Sequence, residues 1–301
     1  MQGKKRGGRG SVFVISVHIS GGLGNQLFQY AAGLALARRL NTSLRMDARK
    51  FATTDASHED PSARPLRILD LNLPFRDLCT PAEEKSLRRR WNLAKNLHLP
   101  KSWLGFHTDP DHRFSDKFPS LPDGTRLQGY FQSERYFAEI ADEVRRAFQP
   151  QDASLIAAID VKLAAFRRDH RPLVSLHIRR GDFLNITAYE AMTGGDFIDR
   201  AMAEFPDADF LVFSDDLEWC RTHFAQRPHM YFSPFTRVLD DFFAMSRCDH
   251  HILAKSTFSW WAAWLNKQPA RRVVAPKIAI EDKPKWGGSS PDYYPSSWTL
   301  L

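Results

Sequence analysis

Short apolar runs alternate along the chain with longer segments in which apolar residues recur at helical spacing. The runs indicate buried strands, and the longer segments indicate amphipathic helices. Strands that alternate with helices in this way favour mostly parallel sheets with helices on their faces. The predicted strands cover residues 12–19, 44–47, 173–178, 208–213, 250–254 and 272–275. The predicted helices cover residues 26–40, 82–97, 134–148, 155–169, 195–205, 217–226, 237–246 and 257–266.

The length of 301 residues fits one large or two medium α/β domains. The polar stretch 149–154 offers a boundary between two halves that each alternate strands with helices. We therefore predict a basic, disordered tail at 1–10, a first α/β domain at 11–150 and a second α/β domain at 151–301. Residues 282–298, rich in Pro, Gly and Ser, predict a loop-like C-terminal wrap over the second domain.

The positive charge of the chain is concentrated partly in its first ten residues. The formal net charge is +7, and the four cations Lys4, Lys5, Arg6 and Arg9 leave +3 for the rest. No RNA- or DNA-binding motif accompanies them, so we expect no nucleic acid partner.

The predicted helix at 82–97 carries a second group of cations, which comprises Lys85, Arg88, Arg89, Arg90 and Lys95. Such a group is usually a solvated helix face. It also suits an anionic membrane surface or an acidic acceptor, and the sequence leaves both interpretations open.

Cysteine usage and hydropathy both indicate a soluble protein. The three cysteines, Cys79, Cys220 and Cys248, lie far apart and form no metal-ligand or disulfide spacing, which favours a reducing compartment. The apolar stretch 12–19 is too short to span a membrane or to form a signal peptide. We expect a full-length chain of this kind in the cytoplasm, where it could also contact the inner membrane face. A trimmed lumenal domain would have a similar sequence.

Four predicted strands end in polar segments. These segments are GGLGNQ at 21–26, HIRRGD at 177–182, SDD at 214–216 and KSTFS at 255–259. Ligands of parallel α/β sheets bind outside the carboxyl ends of the strands. Four such segments in one chain therefore predict a single ligand-binding crevice.

The chemistry of these segments favours a phosphorylated ligand. The glycine turn precedes a helix whose free N–H groups suit an anion, but it matches neither a dinucleotide fingerprint nor a Walker A loop. Arg179 and Arg180 end a buried strand, and paired guanidinium forks suit phosphate oxygens. They predict binding of a nucleotide diphosphate without an obligatory metal. The triplet formed by Arg180, Gly181 and Asp182 also matches the integrin-adhesion tripeptide, a match that often arises by chance.

The other two segments allow structural and functional roles. Ser256 and Thr257 could cap the aromatic helix that follows, or both cap it and contact a phosphate. Asp215 and Asp216 could bind a metal, a ribose or the N1–H and N2–H₂ edge of guanine, whereas either could instead cap the helix at Leu217. The aromatic side chains Phe258, Trp260, Trp261 and Trp264 are expected mainly in the core.

Taken together, these segments resemble the bacterial-type α-1,2-fucosyltransferases of glycosyltransferase family 11. The matching stretches are GGLGNQLFQYAAGLALA at 21–37, QGYFQSERYF at 128–137, HIRRGDF at 177–183, FSDDLEWC at 213–220 and STFSWWAAWL at 256–265. They occur in the order of the family and span most of the chain. The combination of the histidine–arginine segment with the serine–threonine–aromatic helix is the most specific part of the match.

The resemblance implies a GT-B-like fold of two Rossmann-type domains with mostly parallel sheets, the first on the acceptor side and the second binding the donor. It also implies inverting transfer of fucose from GDP-L-fucose to the 2-OH of a terminal galactose on a glycan acceptor. No metal and no other cofactor is required. The acceptor glycan and the oligomeric state stay open.

The resemblance also assigns roles to individual residues. Arg179 is the main phosphate clamp, His177 contacts the nucleotide, and Asp215 or Asp216 reads guanine. The full donor-binding set implied by the match is Gly22, Gly24, Asn25, His177, Arg179, Arg180, Asp215, Asp216, Ser256, Thr257 and Phe258. Asp182 and Glu190 are the candidate bases nearest in sequence to the arginines.

Two other functions remain to be weighed at this point. The first is transfer from a different nucleotide sugar, which a donor screen would separate from fucosyl transfer. The second is a polyanion-binding or adhesion module that uses the basic tail, the helix at 82–97 and the adhesion tripeptide. Such a module predicts salt-sensitive binding without stabilisation by GDP.

Overall fold

Two parallel β-sheets organise the chain in the computed structural model, which describes residues 14–52, 65–109, 113–167, 170–180, 195–277 and 291–301. The first sheet has the strand order β2-β1-β4-β3. Its strands are β1 (Ile15–His18), β2 (Leu44–Asp47), β3 (Phe106–Thr108) and β4 (Arg126–Gln128).

The second sheet has six strands in the order β10-β9-β8-β5-β6-β7. Its strands are β5 (Leu173–Ile178), β6 (Asp209–Ser214), β7 (Met230–Phe232), β8 (His250–Ile252), β9 (Val273–Ala275) and β10 (Thr299–Leu300). Every strand pair in the described part of the chain is parallel. The prediction of mostly parallel sheets is therefore confirmed.

Helices connect the strands. They are α1 (Leu23–Arg39), α2 (Arg49–Ala52), α3 (Pro81–Asn96), α4 (Ala141–Ala147), α5 (Ser154–Ala164), α6 (Gly195–Ala203), α7 (Leu217–His223), α8 (Val238–Ser246) and α9 (Thr257–Leu265). Short 3₁₀ turns lie at Arg67–Asp70, Lys101–Leu104, Phe118–Ser120, Glu134–Tyr136 and Ala138–Ile140. No helix among the described residues is long and apolar enough to cross a membrane.

The prediction of one helix over 134–148 was wrong. Two 3₁₀ turns fill its first half, and α4 forms only over Ala141–Ala147. Between the turns, Phe137 adopts a φ of −136°, outside the helical range. Its ring stacks on the indole of Trp261 with a centroid distance of 5.1 Å. Packing against α9 thus overrides the helical spacing of the segment.

One apolar core joins the two sheets. Phe28 of α1 lies 4.5 Å from Trp260 and 4.8 Å from Trp261 of α9, measured between ring centroids. Both tryptophans are fully buried, which confirms the prediction that the aromatic helix mainly builds core. Because the same core contains residues of both halves, the boundary between residues 150 and 151 stays a prediction.

The C-terminal residues pack on this core. The indole of Trp260 donates a hydrogen bond to the backbone oxygen of Tyr293, and Trp298 is buried beside it. The chain then ends in β10, which follows the predicted wrap and extends the second sheet. Residues 1–13 and 278–290, which include the predicted tail and most of the predicted wrap, lie outside the described residues.

Candidate active site

The carboxyl ends of the two sheets meet at Gly24 and Thr257. Gly24 lies in the first turn of α1, which follows β1, and Thr257 begins α9, which follows β8. A Cβ atom on Gly24 would lie 2.4 Å from the carbonyl carbon of Thr257 and 2.5 Å from its Oγ1. Only glycine allows this approach. The N-termini of the two helices therefore converge, and their unsatisfied N–H groups favour an anion between them.

Two glycines of the turn differ in backbone conformation and in the space around them. Gly21 has a φ of +76°, which favours glycine. Gly22 precedes α1, and no described side chain caps the helix there. No described atom lies within 4 Å of a Cβ built on Gly22. Gly24 is thus explained by the contact between the helices, whereas a ligand contact at Gly22 stays a prediction.

Ser256 caps α9 with its side chain. Its hydroxyl oxygen accepts a hydrogen bond of 3.3 Å from the backbone N–H of Phe258. This bond confirms the capping role allowed by the sequence. A phosphate contact by Ser256 or Thr257 stays a prediction.

Arg179 forms an ion pair with Asp215, with 3.0 Å between Nη1 and Oδ2. The pair follows from the register of the second sheet, in which Ile178 of β5 lies opposite Ser214 of β6. The two next residues therefore leave neighbouring strand ends side by side. The side chains of Arg179 and Asp215 are 23% and 25% exposed. The guanidinium is thus oriented at the edge of the crevice without being buried.

Arg180 is held by three contacts with neighbouring residues. Its Nε lies 3.2 Å from Oδ2 of Asp216, and its guanidinium carbon lies 3.6 Å above the ring of Trp219. Its backbone N–H also donates a hydrogen bond of 2.9 Å to Oδ1 of Asp215. Arg180 consequently links β5 to α7.

Asp215 and Asp216 use all four carboxylate oxygens within the protein. Asp215 accepts from the backbone of Arg180 and pairs with Arg179. Asp216 pairs with Arg180 and caps α7 by accepting a hydrogen bond of 3.1 Å from the backbone N–H of Trp219. The capping role considered for one of the two aspartates is therefore confirmed for Asp216. Reading of guanine by either carboxylate stays a prediction.

His177 lies at the end of β5, 7% exposed, beside Phe258 with 5.9 Å between ring centroids. Burial, reinforced by the positive charge of Arg179, lowers the pKa of His177 to about 3. The imidazole is therefore neutral at physiological pH. Its Nδ1 is buried and has no hydrogen-bond partner among the described residues. A neutral ring with an unused polar atom suits a nucleoside contact.

The two candidate bases, Asp182 and Glu190, lie outside the described residues. Lys255 stands before the cap of α9 and is partly buried. In the described ranges, no group of three or more His, Cys, Asp or Glu side chains is placed to hold a metal ion.

The sequence profile of glycosyl transferase family 11 matches residues 12–299. The chain belongs to this family. An alpha-1,2-colitosyltransferase of Escherichia coli is 30% identical over 300 residues, which cover 96% of this chain and 99% of the relative. A galactoside 2-alpha-L-fucosyltransferase of Caenorhabditis elegans is 25% identical over 313 residues, which cover 96% of this chain and 79% of the relative.

Among solved structures, a mutant of Arabidopsis thaliana FUT1 in complex with GDP matches this family 11 chain with a TM-score of 0.53. The two are 11% identical, and the match covers 89% of this chain and 71% of that one. This likeness concerns the fold. With the two parallel sheets, it confirms the GT-B-like architecture that the sequence resemblance implied.

Sequence reasoning gave no role to Gln132, which lies beside Asn25 of the glycine turn in this family 11 chain. The side-chain amide of Gln132 donates a hydrogen bond of 3.0 Å from Nε2 to Oδ1 of Asn25. The only signal was its place in the stretch 128–137, which matched the family but received no role. The same stretch contacts α1 at a second point, where Nε2 of Gln29 donates a hydrogen bond to the backbone oxygen of Gly129.

A charged group at the end of β2 was also missed. Asp47 is fully buried and contacts Arg126, Arg49 and His18. Burial alone would raise the pKa of Asp47, but contacts with His18, Arg49 and Arg126 hold it below its usual range. The ionised carboxylate therefore ties β1, β2 and β4 together at the carboxyl edge of the first sheet.

Proposed function

We propose that this protein transfers L-fucose from GDP-L-fucose to the 2-OH of a terminal galactose on a glycan acceptor, with inversion at the anomeric carbon. The contact between Gly24 and Thr257 carries the proposal, because it brings two helix N-termini to one point. Arg179 follows β5, the neighbour of β8 in the second sheet, and so lies at the adjacent strand end. This arrangement suits a diphosphate.

Arg179 is the residue proposed to hold the donor diphosphate. A guanidinium carries five N–H donors, so an ion pair through Nη1 is compatible with a second anionic partner. Asp215 orients the guanidinium through that pair. Arg180, held by Asp216 and Trp219, then contributes mainly positive potential and a fixed backbone.

In the proposed reaction, the acceptor hydroxyl oxygen forms a bond to the anomeric carbon of fucose from the face opposite the nucleotide. The bond between that carbon and the β-phosphate oxygen breaks, and GDP leaves with an additional negative charge. Arg179 and the ends of α1 and α9 stabilise this developing charge, which is where electrostatic catalysis acts. The acceptor proton passes to a base, for which Asp182 and Glu190 remain the candidates.

No metal is required in this proposal, because guanidinium groups and helix N-termini take the position that a cation fills in metal-dependent transferases. Activity in excess EDTA tests this point. Loss of turnover with rescue by Mg²⁺ or Mn²⁺ would reassign Asp215 and Asp216 as metal ligands.

A second donor has support from one observation, the 30% identity to a protein named a colitosyltransferase. The diphosphate contacts proposed above would serve either sugar. GDP-fucose and a GDP-linked colitose would differ only in the sugar, so turnover measured with each of these two donors decides which one is the substrate.

The adhesion alternative is disfavoured by the contacts of Arg180. This first residue of the adhesion tripeptide is engaged by Asp216, Trp219 and Asp215 within the protein. An adhesive arginine must instead be available to a partner.

The direct test is incubation of the protein with GDP-fucose and a panel of galactosides, followed by NMR of the product linkage. The proposal expects an α-1,2-linked fucose on terminal galactose. Transfer only from another nucleotide sugar would correct the donor, and binding without transfer from any donor would refute the proposal.

We also propose that α3 and the turn that follows it make a peripheral contact with an anionic membrane surface, the cytoplasmic face of the inner membrane. Helix α3 buries only Leu87 and Ala94 and exposes cations. The exposed cations of this segment are Lys85, Arg88, Arg89, Lys95 and Lys101.

Large apolar side chains of the same segment also face solvent. Leu93, Leu97 and Trp103 are 46%, 59% and 75% exposed. Exposed leucine and tryptophan near lysine and arginine are typical of helices that bind at the interface of anionic lipids. The positive charge complements anionic lipid head groups, so we take such a surface as the partner.

A further inference from the structure

Three glutamines surround the glycine turn, and only one of them has an unused polar atom. The Gln26 amide donates to the backbone oxygens of Gly21 and Pro65, and its Oε1 accepts from the backbone N–H of Ile68. The amide group of Gln26 is thus engaged at both ends. Its partners lie in segments far apart in sequence, so this side chain holds the turn in place.

Gln29 is satisfied in the same way. Its Oε1 accepts from the backbone N–H of Ser20, and its Nε2 donates to Oγ of Ser20 and to the backbone oxygen of Gly129. Such contacts leave the side chain no capacity for a ligand. Gln29 therefore provides a structural comparison for Gln132.

Gln132 is only half satisfied. Its Nε2 donates to Oδ1 of Asn25, but its Oε1 is buried without a hydrogen-bond partner in the described part of the chain. The residue is 5% exposed. A buried acceptor that lacks a partner is costly, and native structures rarely keep one without a reason. Reversing both amides would leave the same end of Gln132 unpaired.

The missing partner must carry a proton if it is to satisfy an amide oxygen. In the amide orientation of the structure, a phosphate oxygen would be repelled, because it only accepts hydrogen bonds. In the reversed orientation the unpaired end is an NH₂ group, and the measurement of GDP affinity below then separates a phosphate contact from a sugar contact. A hydroxyl fits, and it can both donate and accept, so it suits either orientation of the amide. Gln132 follows β4 of the first sheet, whereas His177 and the two aspartates lie at the ends of β5 and β6 in the second sheet.

We propose that Gln132 binds a hydroxyl group of a substrate sugar beside Asn25, which follows the glycine turn. This inference rests on the proposed function, because it takes the diphosphate to lie between the ends of α1 and α9. The hydroxyl belongs either to the sugar of the donor or to the acceptor glycan. Gln132 is then a binding residue of the transfer reaction, in addition to its hydrogen bond to Asn25.

The test compares Gln132→Leu with the wild-type protein in three measurements: calorimetric affinity for GDP, calorimetric affinity for GDP-fucose, and KM for a galactoside acceptor. Loss of one hydrogen bond to a sugar should weaken the affected constant roughly 10-fold. Affinity for GDP should stay within about twofold of wild type, since GDP lacks the sugar. A change in GDP-fucose affinity assigns the hydroxyl to the donor, and a change in acceptor KM alone assigns it to the acceptor.

An indirect effect through Asn25 is separated by a double-mutant cycle with Asn25→Ala. If Gln132 contacts the sugar, Gln132→Leu still weakens the sugar-dependent constant when the Asn25 side chain is absent. Gln29→Leu is the structural comparison, and it should lower thermal stability without a selective effect on the sugar. Should Gln132→Leu fail to fold, Gln132→Met, which is also uncharged and of similar length, carries the same expectations.

Several results would overturn the inference. They are an equal loss of affinity for GDP and GDP-fucose, no loss in any of the three constants, or an effect that vanishes in the Asn25→Ala background. If wild type binds GDP and GDP-fucose while the variant shows one of these results, only the role of Gln132 fails. If wild type binds neither, the proposed function fails and the inference fails with it.

Discussion

Arg179 and Asp215 lie side by side because two parallel strands are in register. Ile178 of β5 is opposite Ser214 of β6, and the ion pair of 3.0 Å joins the residues that follow them. The pair is partly exposed, so its direct contribution to stability is about 0–1 kcal/mol. Its main consequence is orientation, since Asp215 fixes one end of the guanidinium at the mouth of the crevice.

The close approach of α1 and α9 gives a first prediction. Gly24→Ala places a methyl group 2.4 Å from the carbonyl carbon of Thr257, a backbone atom that cannot rotate away. We expect a loss of about 1–3 kcal/mol in the free energy of unfolding, measured by urea denaturation.

Gly22→Ala is the matched control for Gly24→Ala. A Cβ built on Gly22 has no described atom within 4 Å apart from its neighbours in the chain, and the residue has an ordinary φ of −72°. We expect a smaller loss of stability, at most about 1 kcal/mol, because alanine is a poorer N-cap than glycine. We also expect weaker GDP binding, because the methyl group occupies the space assigned to the ligand. Equal losses of stability in the two variants would argue against the helix contact as the reason for Gly24.

The buried His177 gives a second prediction, which concerns pH. Its pKa of about 3 in the folded protein lies below the ordinary value of 6.5. Between these two pH values His177 is protonated in the unfolded chain and neutral in the folded chain. The free energy of unfolding therefore falls as the pH drops from 6.5 toward 3. From pH 7.5 to 5.5 this group should account for a loss of about 1.4 kcal/mol.

The measurement is urea denaturation of wild type and His177→Asn at the two pH values. The variant should lose less free energy of unfolding between pH 7.5 and 5.5 than wild type does. An identical loss in both proteins would show that His177 is not buried in the neutral form.

Base recognition gives a third prediction. GDP should raise the melting temperature more than ADP or UDP does, if one of the two aspartates reads guanine. Asp216→Asn tests this without losing the helix cap, because asparagine is also a good N-cap for α7. The substitution also removes the ion pair with Arg180, so the measured quantity is the preference for GDP over ADP and UDP and not the affinity alone. Loss of the preference for GDP in Asp216→Asn would assign the contact to that residue, and retention would direct attention to Asp215. Equal stabilisation of wild type by all three nucleotides would refute guanine reading while leaving the diphosphate site intact.

The surface of α3 gives a fourth prediction. The protein should co-sediment with vesicles that contain anionic lipid and less with neutral vesicles. Each exposed cation near such a surface contributes about 1 kcal/mol. Replacing Lys85, Arg88, Arg89 and Lys95 by glutamine should abolish the difference, and Trp103→Ala should weaken binding at every lipid composition. Sedimentation that ignores both the lipid charge and these substitutions would refute the contact.

Much of the fold was predictable because the periodicity of apolar residues directly reports burial. The bounds of β2 and β5 match the predicted strands 44–47 and 173–178, and α3 starts within one residue of its predicted position. A local reason supports α3, since Thr80 and Glu83 form a capping box ahead of it and Pro81 begins the helix. Strands β3 and β4 were missed, because their three residues mix polar with apolar side chains and are too short to show a period. The equally short β8 and β9 were predicted, because they lie in the apolar runs 250–254 and 272–275.

The sequence predicted which segments contribute to the candidate site, but not which residues of different segments contact each other. Polar residues at strand ends indicated the crevice, but the partner of Arg179 depends on the register between β5 and β6. That register pairs residues 36 positions apart, and Arg179 and Asp215 follow the strands at the same spacing. Gln132 reaches Asn25 across 107 positions. No local pattern contains these distances, so both contacts required the folded chain.

The most direct test of the account is the turnover of Arg179→Lys with GDP-fucose, measured beside its GDP affinity and its melting temperature. Lysine keeps the charge but loses the planar fork that can span two phosphate oxygens. Loss of such a stabilising group should lower turnover roughly 10²- to 10³-fold. GDP binding should weaken, and the melting temperature should barely move, since the pair with Asp215 is partly exposed.

Two variants complete this measurement. Arg180→Lys should be milder, because Arg180 is engaged by Trp219 and Asp216. Asp215→Asn removes the charge that pairs with Arg179 while keeping the guanidinium, so it should retain much more activity than Arg179→Lys. A large loss of turnover in Arg179→Lys at unchanged stability is the predicted result. Near-normal turnover, or losses of stability and activity that Asp215→Asn reproduces, would contradict the assignment of Arg179 to the donor diphosphate.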